Sequence, residues 1–167
     1  MRICARGLLV RGDETLLARR SDERTFYPGV WDVVGGHCEG DETPVDTLIR
    51  ELEEEVGVKA CVFEEIAVLE EPRPVEHGEA QYHVFIVTAW AGGEPRLLNA
   101  EHSELRWLSL DHALALPLAH LGTATFSTRC WDRDAGADKV IRSARVVFPP
   151  RADGQILAVN DKFWTSA

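Results

Sequence analysis

The sequence predicts a mixed α/β fold, with a β-sheet at the core and helices packed against it. Short apolar runs typical of strands recur along the chain, and a clearly marked helix interrupts them. A chain of 167 residues with 45% hydrophobic residues is long enough to bury one sizeable core. We therefore expect residues 1–167 to form a single domain, although the pattern becomes less distinct beyond residue 120.

The predicted strands are short apolar runs bounded by turn residues. The first two flank the turn RGDE and are expected to form a hairpin or two successive strands: ICARGLLV and TLLAR. A turn, a short strand and a glycine loop follow in YPGVWDVVGG. The next two predicted strands are separated by a loop rich in Pro and Glu: KACVFEEIAVLEE and QYHVFIVTAW.

The last predicted elements follow a long connection, GGEPRLLNAEHSE. A short strand is expected in LRWLSL, and a helical turn in DHALAL is expected to end at Pro117. Further along, KVIRSARVVF has the pattern of a strand, whereas GQILAVNDKFW is compatible with either a strand or a helix.

The clearly marked helix has signals at both ends. Thr43 is a favourable N-cap, Pro44 suits the first helical position, and Gly57 suits a left-handed stop. Apolar side chains at helical spacing predict a face that packs on the sheet: Val45, Leu48, Ile49, Leu52 and Val56. The sequence therefore predicts a helix over residues 44–56.

The polar side of this helix carries a cluster of carboxylates. Glu51, Glu54 and Glu55 stand at positions i, i+3 and i+4, where neighbouring like charges repel each other. A bound divalent cation would reverse the sign of that interaction. Acidic helix faces are otherwise solvated, so both interpretations are open on the helix alone.

The composition limits the classes of partner and location. The formal net charge is −10, from 28 acidic and 18 basic residues, so we do not expect a general nucleic-acid surface. No stretch approaches membrane-spanning length and no signal-peptide cleavage site is present, which predicts a cytoplasmic protein. The 4 cysteines form no CxxC pair, which argues against a zinc knuckle.

The glycine loop and the helix together carry a longer pattern. Gly36, five residues, Glu42, seven residues and then RELEEEVGV match G-x5-E-x7-R-E-U-x-E-E-x-G-U, where U is aliphatic. By this match over residues 36–58, called the box below, the chain resembles the Nudix hydrolase family, of the MutT-like type. The resemblance implies the Nudix fold, in which a mixed sheet is sandwiched between helices. A less specific likeness of strands and loops extends over residues 1–118.

The resemblance also implies a chemistry, the hydrolysis of a diphosphate linkage with Mg²⁺, for which Mn²⁺ is an alternative. These cations prefer hard oxygen ligands. The implied metal ligands are three carboxylates and one backbone carbonyl: Glu51, Glu54, Glu55 and Gly36. Arg50 would hold a glutamate through its fork of donors, while Gly35 and Glu42 would support the loop.

Three further residues outside the box are implied as site residues. Glu101 lies six residues before Trp107, where several family members place a metal ligand or general base. Glu104, in the same loop, is the alternative, and both acids could instead be solvated. Arg19 and Arg20 match the family position from which an arginine reaches a substrate phosphate, but a surface arginine at a strand end is an equal alternative.

The substrate implied by the resemblance is a nucleoside diphosphate linked to another moiety. We expect a nucleotide, a nucleotide sugar or ADP-ribose. The segment DVVGG departs from the FPGG of purine-repair enzymes, so an oxidised-purine nucleoside triphosphate is the alternative substrate rather than the first. Pro72 lies fifteen residues after Gly57, where ADP-ribose pyrophosphatases have a proline.

A non-catalytic nucleotide-binding or sensor module is the alternative of another class. Such modules commonly lose box glutamates, and this chain retains them all. The diphosphate isomerase branch of the fold is disfavoured because no cysteine lies in the expected context. Both a monomer and a homodimer are compatible with the sequence.

Overall fold

The structure is a computed structural model that describes residues 1–119 and two short strands beyond them. The main sheet has six strands: β1 (Arg2–Arg11), β2 (Glu14–Arg20), β3 (Trp31–Asp32), β4 (Lys59–Glu70), β5 (Ala80–Ala91) and β6 (His102–Ser109). The described helices are α1 (Pro44–Val56), α2 (Pro74–His77) and α3 (Leu110–Leu114). The strands β7 (Thr125–Ser127) and β8 (Arg145–Val147) form a separate antiparallel pair.

The main sheet opens between β1 and β2, and this opening positions the site. β1 runs parallel to β5 from Arg2 to Leu9, but it pairs with β2 only at the hairpin end. Beyond the hairpin, β2 pairs with β3 and β6 instead. The glycine loop enters the gap, where Val34 pairs with Gly7 and His37 pairs with Cys4.

Each face of the sheet is covered by a helix. Alternate residues of β1 point to opposite faces, so Ala5 and Leu9 join the core under α1 while Leu8 and Val10 join the second core with Ala113 of α3. The α1 core also contains residues from neighbouring elements: Leu16, Val34, Leu48, Leu52, Val56, Phe85 and Val87. The mixed α/β fold with a sheet between helices is therefore confirmed.

Local signals determine both ends of α1, as predicted. The Thr43 hydroxyl accepts a hydrogen bond from the N–H of Asp46 at 3.2 Å, and the Asp46 carboxylate accepts one from the N–H of Thr43 at 3.0 Å. At the other end Gly57 has φ 72°, and its N–H donates to the Glu53 carbonyl at 3.2 Å. The predicted helix over residues 44–56 is confirmed.

Several expectations about individual residues need correction. Val45, in the first turn of α1, was expected on the buried face but is 36% exposed. Glu104 lies within β6 rather than in a loop, since β6 continues to pair with β2 as far as His102. The helical turn begins at Leu110, one residue before DHALAL, and ends at Leu114.

The structure tests only one of the two elements predicted near the C-terminus. β8 falls inside KVIRSARVVF, and the segment GQILAVNDKFW lies outside the described residues. A single domain over residues 1–167 stays a prediction. None of the helices in the described part of the chain has the length and hydrophobicity needed to cross a bilayer.

Candidate active site

The glycine loop is fixed against β1 by backbone contacts that require a glycine at position 35. Gly35 has φ 146°, and a Cβ there would lie 2.1 Å from the carbonyl oxygen of Ala5. The Gly35 carbonyl accepts a hydrogen bond from the Arg6 guanidinium at 2.5 Å, and its N–H donates to Glu55 Oε2 at 3.2 Å. The loop backbone is thereby joined to the carboxylate of Glu55.

Gly36 brings the loop into direct contact with a second glutamate of α1. A Cβ on Gly36 would lie 2.0 Å from Glu51 Oε1 and 2.4 Å from the Glu51 carboxyl carbon. The Gly36 carbonyl accepts a hydrogen bond from the N–H of Ala5 at 2.9 Å, so one lone pair of this oxygen is left for a further ligand. The absence of a side chain at position 36 makes room for the Glu51 carboxylate.

Arg50 connects the loop to the acidic face of α1. Its guanidinium binds Glu42 through two hydrogen bonds, of 2.7 and 3.0 Å, and donates to the His37 carbonyl at 2.9 Å. It also donates to Glu51 at 2.9 Å and to Glu54 at 3.1 Å. The hydrogen bond from Arg50 is the main cause that lowers the pKa of Glu42 to about 2. Arg50 and Glu42 therefore lie together, and Glu42 is the glutamate that Arg50 binds through two hydrogen bonds.

Glu55 is the most buried carboxylate of the cluster, at 2% exposure. Burial, followed by the charges of Glu51 and Glu101, raises the pKa of Glu55 to about 8, against the opposing effects of Arg6 and the Gly35 N–H. Burial also raises the pKa of Glu51, although Arg50 acts in the opposite direction. These two carboxylates occupy a site where negative charge is costly and a cation would be favourable.

Glu101 approaches this cluster from the other side of the opening, immediately before β6. Its carboxylate forms an ion pair with Arg24 at 3.0 Å, and its backbone carbonyl accepts a hydrogen bond from the N–H of Ser21 at 2.9 Å. Glu104 instead pairs with Arg106, two residues along the same strand, at 2.5 Å. The structure thus brings the Glu101 charge within electrostatic range of Glu51 and Glu55.

The two arginines predicted to bind substrate both organise the loop that follows β2. Arg20 is 8% exposed, and its guanidinium donates to the carbonyls of Phe26 and Tyr27 at 3.0 and 3.2 Å. Arg19 is partly exposed and donates to Asp22 at 2.9 Å and to Ser103 at 3.3 Å. The burial of Arg20 makes it a support for this loop, and it leaves Arg19 as the more accessible of the pair.

Two arginines near the site were not singled out from the sequence. Arg6 is buried in β1 and reaches the Gly35 carbonyl, and Arg24 reaches Glu101 from the loop after β2. An arginine inside an apolar strand is a detectable signal, since such a residue must have buried partners. No spacing rule would have identified Arg24, which lies in an irregular polar segment.

The donor set fits a divalent cation, although the side chains do not converge on one point. Among the described residues, no three acidic, His or Cys side chains lie close enough together to hold a metal ion in this conformation. Glu51 and Glu54 face Arg50, Glu55 faces the Gly35 N–H, and Glu101 faces Arg24. Mg²⁺ and Mn²⁺ prefer hard oxygen ligands such as carboxylates. Here carboxylates surround a buried position where their negative charges are unfavourable without a cation. Binding would require these carboxylates to turn away from their present partners.

Comparisons with known proteins give consistent matches. The NUDIX domain family model matches residues 1–130. The CTP pyrophosphohydrolase of Escherichia coli (strain K12) is 35% identical over 112 residues, which cover 67% of this chain and 78% of that protein. The E. coli ORF135 protein, known from a solution structure, superposes with a TM-score of 0.60 at 32% identity and covers 71% of this chain and 81% of that chain.

A longer relative is similar over part of its length. The NAD-capped RNA hydrolase NudC of Pseudomonas aeruginosa (strain LESB58) is 33% identical over 113 residues, which cover 66% of this chain. The matched region is only 37% of that relative's length.

Proposed function

Because the chain belongs to the Nudix hydrolase family, we propose that it hydrolyses a diphosphate linkage in a nucleotide-type substrate with Mg²⁺ or Mn²⁺ bound at the carboxylates of α1. The observation that carries this proposal is the position of Glu55, buried between α1 and the glycine loop beside Glu51 and opposite Glu101. A purely solvated acidic face would not bury one of its glutamates.

The proposed roles follow from where each group lies. Glu51, Glu54 and Glu55 would hold the cation, with the Gly36 carbonyl as a further ligand. When bound, the cation offsets phosphate charge and makes a coordinated water more acidic. Glu101 would lie beside the cation, as a further ligand or as the base that takes the proton from the attacking water. As the oxygen of that water bonds to phosphorus, the bond between phosphorus and the bridging oxygen breaks and the second phosphate leaves.

The arginines have separate roles in this proposal. Arg50 keeps Glu51 and Glu54 oriented through its hydrogen bonds to both. Arg19, whose guanidinium is partly exposed, contacts a substrate phosphate, whereas Arg20 acts indirectly by holding the loop after β2. The substrate is the only partner proposed, and a monomer or a homodimer stays a prediction.

Nucleoside triphosphates are the first substrates to test. The CTP pyrophosphohydrolase of E. coli matches over most of its length, which supports cytidine nucleotides as members of the substrate class. The non-catalytic sensor alternative predicts binding of the same nucleotides without turnover. A screen of di- and triphosphates, nucleotide sugars, dinucleoside polyphosphates and ADP-ribose with Mg²⁺ separates the two by measuring released phosphate. The di- and triphosphate reactions are read after treatment with inorganic pyrophosphatase, and the others after treatment with a phosphatase that cleaves only the terminal phosphates of the products.

The same screen tests a substrate preference predicted from DVVGG and Pro72. We expect ADP-ribose or a nucleotide sugar to be hydrolysed with a higher kcat/KM than an oxidised guanosine triphosphate, because the FPGG segment of the purine-repair enzymes is replaced here. Initial rates over a range of substrate concentrations measure this ratio. A clear preference for the oxidised triphosphate would show the prediction to be wrong.

Replacement of the two glutamates near β6 tests which one takes part in the reaction. We expect Glu101→Gln to lower kcat by roughly 10²- to 10⁴-fold, the range for loss of a general base, because the amide accepts no proton. Glu104→Gln is the matched control, since it removes an equal charge that pairs with Arg106 in β6. Kinetics of both variants with folding verified by circular dichroism give the ranking. The opposite ranking would assign the role to Glu104.

A further inference from the structure

The loop after β2, residues 21–30, is held in place at several points along its length. At its start, the N–H of Ser21 donates to the Glu101 carbonyl at 2.9 Å. In its middle, Arg20 binds the carbonyls of Phe26 and Tyr27, and the Tyr27 hydroxyl donates to Glu71 at 2.9 Å. At its end, the carbonyl of Val30 accepts a hydrogen bond from the backbone of Arg20 at 2.9 Å. A side chain in this segment therefore has a defined position relative to the site.

Arg24 is the cation that this loop presents to the carboxylates. Its N–H donates to the Ser21 carbonyl at 3.2 Å, which turns the chain back toward Glu101, and its guanidinium pairs with Glu101 Oε2 at 3.0 Å. Arg24 is thus paired with Glu101, the carboxylate whose charge acts on Glu51 and Glu55.

Both members of this pair can change partner. Their side chains are 39% and 44% exposed, so the ion pair can break without leaving a buried charge. The Glu101 carboxylate would be needed by a cation at α1, and the Arg24 guanidinium would suit a phosphate oxygen of a substrate. In this structure the two side chains neutralise each other's charge.

We propose that Arg24 is a positioning residue that competes with the divalent cation for the Glu101 carboxylate and releases it when a substrate phosphate takes its place. This inference rests on the proposed function, because both the cation and the substrate phosphate belong to it. The competition makes the cation bind less tightly to the nucleotide-free protein than the carboxylates alone would allow. It also couples substrate binding to completion of the metal site, since the phosphate that draws Arg24 away frees Glu101.

Mn²⁺ binding to the nucleotide-free protein tests the competition without turnover. Titrations followed by electron paramagnetic resonance would compare the parent protein with Arg24→Gln. We expect the variant to bind Mn²⁺ roughly three- to fivefold more tightly, which is the scale of an exposed ion pair. Arg106→Gln is the matched control because Arg106 pairs with Glu104 of β6, and its Mn²⁺ affinity should equal that of the parent.

A double variant distinguishes release of Glu101 from the removal of a nearby positive charge. In a Glu101→Gln background, Arg24→Gln should no longer tighten Mn²⁺ binding. If the full tightening persists there, or if Arg24→Gln alone leaves the affinity unchanged or lower, the inference is overturned. With a substrate from the screen, Arg24→Gln should raise KM more than it lowers kcat, and an unchanged KM would contradict the phosphate exchange.

The outcome separates this inference from the proposed function. If the parent protein binds no Mn²⁺, the metal site of the proposed function fails, and the competition fails with it. If the parent binds Mn²⁺ and hydrolyses nucleotides but Arg24→Gln changes neither affinity nor KM, only the role of Arg24 is overturned.

Discussion

Glu55→Gln is expected to lower kcat by roughly 10²- to 10⁴-fold, corresponding to the several kcal/mol of transition-state stabilisation that a catalytic metal supplies. The substitution keeps the shape of a side chain that lies between α1 and the Gly35 N–H, and it removes a hard anionic ligand. The matched control is Glu53→Gln, because Glu53 is the neighbouring glutamate on α1 and pairs with Lys59 near the surface at 3.8 Å. The measurement is steady-state hydrolysis with saturating Mg²⁺, and activity close to the parent would contradict the proposed metal site.

Stability should respond in the opposite direction to activity. Burial raises the pKa of Glu55 to about 8, so the folded protein holds this proton more tightly than the unfolded chain does. With chelator present, the stability of the fold should therefore fall as pH rises from the ordinary glutamate range to about 8. Glu55→Gln removes that loss, so its melting temperature should equal or exceed that of the parent at pH 8. Added Mg²⁺ should raise the melting temperature of the parent more than that of the variant. Equal Mg²⁺ shifts in both proteins would contradict this assignment.

Alanine substitutions at Gly36 and Gly35 are expected to differ in effect, the first lowering activity and the second lowering the stability of the fold. Gly36→Ala should lower kcat by roughly 10- to 100-fold with little change in melting temperature, because the new Cβ meets the movable Glu51 carboxylate at 2.0 Å and displaces it. Gly35→Ala should destabilise the fold by on the order of 3 kcal/mol or more, because its Cβ meets the backbone oxygen of Ala5 and its φ is 146°. Thermal melts and kinetics of both variants test this difference.

The control for these substitutions is Gly40→Ala. Gly40 has φ 53° but no atom within 4 Å of an added Cβ, so only the cost of a left-handed residue, about 1–2 kcal/mol, is expected, and activity should remain. If Gly36→Ala behaves like Gly40→Ala in both measurements, contact between Gly36 and Glu51 has no part in the function.

Features encoded by neighbouring residues could be predicted from the sequence. The bounds of α1 follow from Thr43, Pro44 and Gly57, each acting within one turn of the helix. The box pattern is a fixed spacing within one stretch of sequence, so it can be recognised without knowing that contacts with β1 place Gly36 beside Glu51. The family was therefore predictable from residues 36–58.

Contacts between distant segments were less predictable. Arg19 and Arg20 have the same chemistry and adjacent positions, yet Arg20 is buried by a loop whose carbonyls need a donor. Neighbouring residues of a strand point to opposite faces of the sheet. The local sequence does not indicate which of the two arginines is buried, because the segment that covers each face is determined by the rest of the fold.

By itself, the sequence determined the mixed α/β class, the capped helix and the box that identifies the family, because hydrophobic periodicity and capping act between residues close in the chain. Only the tertiary structure decided that Glu55 is buried, that Arg20 supports a loop, and that Arg24 faces Glu101. The physical reason is the opening between β1 and β2, where long-range strand pairing brings the glycine loop, the loop after β2 and the segment before β6 to one place. Burial and charge at that place depend on all three segments together.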